Sequence, residues 1–288
     1  MYVDVPLLGR HKAPPADLVI EPGCVTNWLG IRTDTTLFSH GNSVRDRAIP
    51  DLPTGGDGVY GSYCAYASFL TAIEHAAPRR KFNAIELGAG WGPWVSAMAV
   101  VCRRLGFDEV NLVAVEADEG WCGLMREHFA RNQVSARIMR GAAWKTDTTV
   151  HFPVIDDPRV EHAAAATAGD VPIDYRGKAC RTVEVPGLSL RTIGAGLPVI
   201  DYVHCDVSGG ELDLVRSDPE FFNTRVRYLY VTTRSRPIEG GLIEFFFAHQ
   251  WDVLHEQPCR FEYDCSKPSI EGMCVDGGEL FARNSRLT

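Results

Sequence analysis

Hydrophobic positions along the chain fall into short runs of strand length, separated by stretches in which they recur every three or four residues. Residues 82–87 (FNAIEL), 111–116 (NLVAVE), 136–139, 198–206 (PVIDYVHCD) and 225–232 (RVRYLYVT) read as strands. Helical spacing occupies 60–77, 94–105, 118–132, 211–216 and 238–250. Residues 251–256 and 273–283 read as a closing pair of strands. Strand and helix alternate, which predicts an α/β fold with a mostly parallel sheet, an antiparallel edge strand and helices on both faces.

The sharpest feature is the junction after residues 82–87. Gly88, Gly90 and Gly92 stand at every second position, then Pro93 opens a helix. Proline suits a first helical turn because its missing N–H has no partner there anyway. Glycines let the backbone turn sharply and let a ligand approach the main chain. Two acids qualify the ligand. Glu86 precedes the first glycine by two residues, and Glu116 ends the next strand. A carboxylate at a strand end can accept both hydroxyls of a ribose. A dinucleotide site needs G-x-G-x-x-G with its helix aimed at a pyrophosphate, but Pro93 stands at the third glycine position and Glu86 would repel phosphate. The pair therefore favours S-adenosylmethionine, whose sulfonium and ammonium suit nearby carboxylates. Ala89 and Ala117 complete the two strand-end loops. Ala143 and Trp144 follow the third strand, where they would wall in an adenine.

Around this core, residues 1–80 read as an N-terminal extension and helix packed on the domain formed by 81–288, and as a candidate substrate lid. Residues 55–58 (GGDG) read as a turn, and the helix over 60–77 stops at Pro78. An irregular insertion lies near 155–180, with strands expected at 150–154 and 179–185, a short helix at 188–193, and a flexible flap between.

Composition narrows the partners. The net charge of −8 disfavours nucleic acid and anionic membranes, and the run Arg79-Arg80-Lys81 is too short to reverse that. No stretch approaches the eighteen or so apolar residues of a membrane span. An odd count of nine cysteines with no C-x-x-C pair fits reduced thiols, so a soluble cytoplasmic protein is expected. The partner expected is a small-molecule acceptor. The oligomeric state is left open.

Residues 201–214 (DYVHCDVSGGELDL) add specificity. The run Asp206-Val207-Ser208-Gly209-Gly210-Glu211, with the glycine turn, resembles the FkbM family of S-adenosylmethionine-dependent methyltransferases over about residues 82–256. The resemblance implies a class I methyltransferase of Rossmann-like fold with seven strands, and O-methylation of a hydroxyl on a small molecule, sugar or natural product. Thr233-Arg234 departs from the Thr-His of related sequences. An N-methyltransferase on a small amine or peptide, and a non-catalytic S-adenosylmethionine-binding regulatory protein, are the alternatives.

Methyl transfer needs in-line alignment and a proton acceptor. Asp206, at a strand end beside the topological switch, is the expected catalytic residue, and it can also help hold the cofactor. Strand alternation puts His204 on the same face as Asp206, an alternative base with a pKa near working pH, and turns Cys205 away. Glu211 caps its helix or orients Asp206. Arg234 and Arg236 suit an acidic acceptor. His204 and Asp206 with Glu211 or a distant acid could hold Mg²⁺ or Mn²⁺, but two ligands on one strand more often have structural roles, and no metal is expected.

Overall fold

The computed structural model describes residues 5–38, 41–53, 61–159 and 164–288. The expected turn at 55–58, the first helical position Tyr60 and the start of the alanine run at Ala163 lie outside the described residues.

Seven strands form the central sheet: β1 (Lys81–Leu87), β2 (Glu109–Glu116), β3 (Arg137–Arg140), β4 (Ile200–Cys205), β5 (Val226–Thr233), β6 (Trp251–Gln257) and β7 (Gly278–Asn284). Their order is β6-β7-β5-β4-β1-β2-β3. β1 to β5 pair in parallel, and β7 is antiparallel to both its neighbours. The mostly parallel seven-stranded sheet is as expected. The antiparallel strand, however, is not at the edge. It inserts between β5 and β6, because helix α6 (Arg236–Ala248) carries the chain past one strand width and returns β6 parallel, leaving a gap that β7 fills.

Helices cover both faces. α1 (Tyr63–Ala76), α2 (Pro93–Arg104) and α3 (Glu119–Asn132) lie on one face and bury Phe69, Val95, Met98 and Phe129 in a single cluster with Tyr202 and Tyr230. α4 (Glu211–Ser217), α5 (Pro219–Arg225) and α6 lie on the other, against Ile85, Val203 and Leu229. β4 alternates as expected: Tyr202 packs toward the first cluster, Val203 and Cys205 toward the second. The periodicity did not suggest α5, nor the short helix Val5–Arg10. Asp218 starts α5 by accepting from Phe221 N, and Pro219 occupies its first position.

The N-terminal segment is ordered where described. Its strands Cys24–Thr26, Arg32–Asp34 and Arg47–Ala48 form a small sheet. Asn132 at the end of α3 grips it by bonding both the N–H and the C=O of Arg32. The strands expected beside the insertion form: Thr148–Pro153 and Thr182–Leu188 pair antiparallel, and Ala142–Ala143 joins Thr182–Leu188 in parallel. Within the excursion Asp174 accepts from Arg176 N and Lys178 N. The closing strand starts at Gly278 rather than 273. Cys274–Asp276 instead pairs with Arg260–Phe261 in a separate ribbon.

Asp201 fastens the base of the sheet. Its buried carboxylate accepts from Asn83 N at 2.9 Å, Arg79 Nη2 at 2.8 Å and Arg227 Nη1 at 2.6 Å, joining β1, β4 and β5. Removing one partner of a buried ion pair leaves the others uncompensated. Asp201→Ala is therefore expected to lower the unfolding free energy by about 3 kcal/mol. Urea unfolding would read this, and a loss below about 1 kcal/mol, the surface-pair range, would contradict it.

Candidate functional site

β1 and β4 are neighbours whose chains leave the sheet toward opposite faces, β1 into α2 and β4 into α4. This is the switch point where a crevice opens. The two strand ends are tightly joined. Asp206 N donates to Leu87 O at 2.9 Å. A Cβ on Gly88 would lie 1.9 Å from Asp206 O, and Gly88 has φ +75°, so both space and backbone require glycine. Gly92 is needed for a different reason: its Cβ would meet the Phe129 ring of α3 at 2.5 Å. Gly90 (φ +53°) faces open space, with no atom within 4 Å of its Cβ position. Of the three, Gly90 is the one that leaves room for a ligand.

Glu86 is buried at the end of β1 and accepts from Val95 N at 2.7 Å and Trp94 N at 3.4 Å. Gly92 at the N-cap of α2 has no side chain to do this, so Glu86 supplies the missing cap from a distance. Burial pushes its carboxyl up to about 8, against the pull of those two N–H groups. Glu116 ends β2 and accepts from Gly90 N and Asp118 N, both at 2.8 Å. Burial raises its carboxyl as well. A carboxylate offers about four acceptor positions, so lone pairs remain for hydroxyls.

The third strand-end loop follows the same plan. Glu211, fully buried at the start of α4, accepts from Gly209 N at 2.9 Å and Val207 N at 3.2 Å, and burial pushes it up to about 7. It therefore holds the loop that carries Asp206 rather than touching the Asp206 carboxylate. That loop needs positive φ at Ser208 and Gly209.

Asp206 itself is half-buried at the crevice. Its Oδ1 is shielded from solvent and accepts no hydrogen bond, with Arg234 Nη2 3.6 Å away. The carboxylate raises the Arg234 guanidinium above its ordinary value. Arg236 lies elsewhere, half-exposed and 3.6 Å from Glu239.

His204 does not meet the expectation of a base near neutrality. It sits in the sheet row Glu86–His204–Tyr230, stacked between Trp94 (centroids 5.0 Å apart) and Tyr230 (4.8 Å). Burial pushes its imidazole down to about 3, so it is neutral and a weak proton acceptor at neutral pH. A metal set of His204, Asp206 and Glu211 does not assemble either: Glu211 is spent on backbone N–H groups, and among the described residues these three do not converge.

A cavity of about 1250 Å³ joins these parts. Its floor is Gly88, Ala89, Gly90 and Asp206; Glu116, Ala117, Ala143 and Trp144 line one side. Trp144 is fixed by its N–H to Leu188 O, with Lys145 Nζ 5.9 Å above its ring. A site for one drug-sized ligand holds about 300–1,000 Å³, so this one has room for two molecules. Sequence reasoning missed Phe38, Trp121 and Tyr175, which also line it. They come from the N-terminal segment, α3 and the insertion, with no local motif to mark them.

The raised Glu86 carboxyl has a consequence for stability. Folded Glu86 keeps its proton where the unfolded chain, near the ordinary 4.5, has lost it. Stability contributed by Glu86 therefore falls as pH rises from about 4.5 to about 8. Glu86→Gln should remove that slope, so the wild type should lose stability relative to the variant across this window. Denaturant midpoints of both proteins at several pH values would read it; parallel curves would refute it.

No family model matches the chain. It is 27% identical over 266 residues to a protein of Jannaschia sp. (strain CCS1) named "Putative methyltransferase", covering 91% of this chain and 92% of that one. Among solved structures it is similar to the methyltransferase FkbM from Methylobacillus flagellatus KT (10% identity, TM-score 0.43, 76% of this chain and 53% of that one). It is also similar to a precorrin-6y C5,15-methyltransferase from Geobacter metallireducens GS-15 (9% identity, TM-score 0.39, 75% of this chain and 87% of that one).

Proposed function

We propose that the protein is an S-adenosylmethionine-dependent methyltransferase acting on a hydroxyl of a small molecule. The observation that carries this reading is the pair of buried carboxylates, Glu86 and Glu116, flanking an open glycine turn at the switch point. The Jannaschia relative, matched along nearly the whole of both chains, supports it by its name.

The residues present fit such a cofactor. Glu116 has acceptor positions left for the ribose hydroxyls, and Ala117, Ala143 and Trp144 offer an apolar wall for the adenine. Gly88, Ala89 and Gly90 form the turn, with Gly90 its approachable point; Asp206 offers a carboxylate near the methionine end, and Glu86 beside it keeps its proton at neutral pH until a cation arrives. The bound cofactor supplies an electrophilic methyl on its sulfonium. Asp206 is the residue that takes the acceptor's proton, because its Oδ1 accepts no hydrogen bond and His204 is too weakly basic. Arg234, just past the end of the next strand, lies 3.6 Å from Asp206.

Among the described residues the cavity wall is acidic, with Lys145 and Arg234 as its cations. That disfavours polyanionic acceptors such as nucleic acid. It also favours the second reading, an amine acceptor, since a cation would be drawn to the same wall. Residues 1–80 contribute Phe38, Gly61 and Ser62 to the wall, and we assign them to acceptor selection.

Calorimetric titration with S-adenosylmethionine and its demethylated product, with NAD as control, tests the cofactor. Binding of both sulfur compounds and not NAD is expected; no binding to folded protein would end the reading. A cation beside Glu86 would lower its raised carboxyl, so binding near pH 7 should release protons, and the measured enthalpy should vary with the buffer's ionisation enthalpy. Glu116→Ala should weaken binding by about 1.5–3 kcal/mol, the scale of hydrogen bonds to a charged group. Asp206→Asn should lower turnover at least about a hundredfold, the scale of general-base catalysis, with little change in unfolding midpoint. Equal losses of turnover and stability would make Asp206 a structural residue.

A further inference from the structure

One cluster beside the cavity has no part in the methyl-transfer site. Cys64 in the first turn of α1, His255 on β6 and Glu279 on β7 bring Sγ, an imidazole nitrogen and a carboxylate oxygen within 4.8 Å of one another. They are far apart in sequence and come from three elements. His255 and Glu279 are diagonal neighbours across the antiparallel β6–β7 pair, where Gln257 stands opposite Glu279 and His255 opposite Phe281. A register shift between Val253 and His255 accompanies this, and His255 is a buried position on a strand that is otherwise mostly exposed.

The polar atoms of this cluster lie close together in a shielded place. Glu279 Oε2 is closed off from solvent, with His255 Nε2 3.6 Å from it. A carboxylate oxygen in that position costs free energy unless something positive meets it. The groups that meet Glu279 are His255, 3.6 Å away, and the Cys64 thiol, which hydrogen-bonds to it, and both are donor types that a metal ion takes.

We propose that Cys64, His255 and Glu279 bind a divalent ion of the zinc class. Thiolate, imidazole and carboxylate together make a borderline-soft donor set, which suits Zn²⁺ and not Mg²⁺ or Ca²⁺. In a tetrahedral zinc site neighbouring donors stand about 3.3–3.8 Å apart, given bond lengths of about 2.0–2.3 Å. Donors already within 4.8 Å need to close by about 1.5 Å at most. Three protein ligands leave a fourth position, the arrangement of zinc sites that hold an exchangeable group. Glu279 lines the cavity while Cys64 and His255 lie behind it, and the fourth position is set on the cavity side of Glu279.

That placement gives the ion a task, which rests on the methyl-transfer reading. Methyl transfer from a sulfonium needs no metal, but the acceptor must be held. A hydroxyl or thiol bound in the fourth position would be anchored by its lone pair and made more acidic by the cation. The acceptor class this selects is one with a free oxygen or sulfur donor.

The test uses the full chain, dialysed free of metal and titrated with Zn²⁺ alone and with Co²⁺ alone. One ion per chain is expected, with a thiolate-to-cobalt charge-transfer absorption. Cys64→Ala should abolish that absorption, and His255→Ala should weaken affinity by more than about tenfold. Cys265→Ser, at an exposed cysteine outside the cluster, should leave both unchanged. Should Cys64→Ala fail to fold by circular dichroism, Glu279→Gln serves in its place, with weakened zinc affinity expected. Substoichiometric binding by the wild type, or an absorption that survives Cys64→Ala, would overturn the site. Cofactor calorimetry on the same samples separates the two ideas. Zinc bound without S-adenosylmethionine would retain the site and remove the methyl-transfer reading; the reverse result would do the opposite.

Discussion

Backbone N–H groups at the carboxyl edge of a parallel sheet lose their ladder partners where the chain turns into a loop, and they must find acceptors elsewhere. Here three glutamates meet that need. Glu86 serves the start of α2, Glu116 serves Gly90 and Asp118, and Glu211 serves Val207 and Gly209. Each is buried, and burial raises each carboxyl above its ordinary range. The crevice is therefore held open by acids whose charge is costly in the empty protein. A cation arriving in the crevice would lower that cost, which ties loop geometry and ligand charge to one set of side chains.

The junction of β1 and β4 sets where this happens. The Asp206 N–H to Leu87 carbonyl bond closes the sheet at the point of divergence, and only glycine at position 88 permits the approach of the Asp206 carbonyl. Beyond it, one chain goes to each face. Asp206 is thus positioned by main-chain geometry, while Arg234, just past the end of β5, lies 3.6 Å from its side chain. His204, two residues earlier, is pulled the other way, into an aromatic stack that keeps it neutral. Adjacent positions on one strand face end with opposite fates because one projects past the sheet edge and the other does not.

Much of this was legible in sequence because it is local. The glycine turn, Pro93, the acids at two strand ends and the order of strands all follow from short runs whose period or composition is distinctive. What was not legible depends on contacts across long separations. Nothing near His204 in sequence shows that Trp94 and Tyr230 will enclose it, so its basicity was misjudged. Nothing in residues 273–283 shows that Cys274–Asp276 will pair with Arg260–Phe261 instead of continuing the sheet. β7's insertion one place in from the edge likewise depends on where α6 returns the chain.

The cavity's far wall extends that lesson to function. Residues of the glycine turn, Glu116 and Asp206 occupy one end and come from the ends of consecutive strands. The other end is assembled from the N-terminal segment, the insertion and the ribbon before β7, which meet only in the folded chain: Tyr175 O approaches Gly272 so closely that a Cβ there would lie 2.3 Å away. Strand ends are constrained by the sheet and can be recognised from pattern alone. Excursions are not so constrained, and their side chains are free to differ while the sheet stays the same. The part of the cavity that would hold a common cofactor is therefore the part a sequence announces. The part that would choose an acceptor, with Glu279 in its wall and Cys64 and His255 behind it, is visible only once the chain has closed around it.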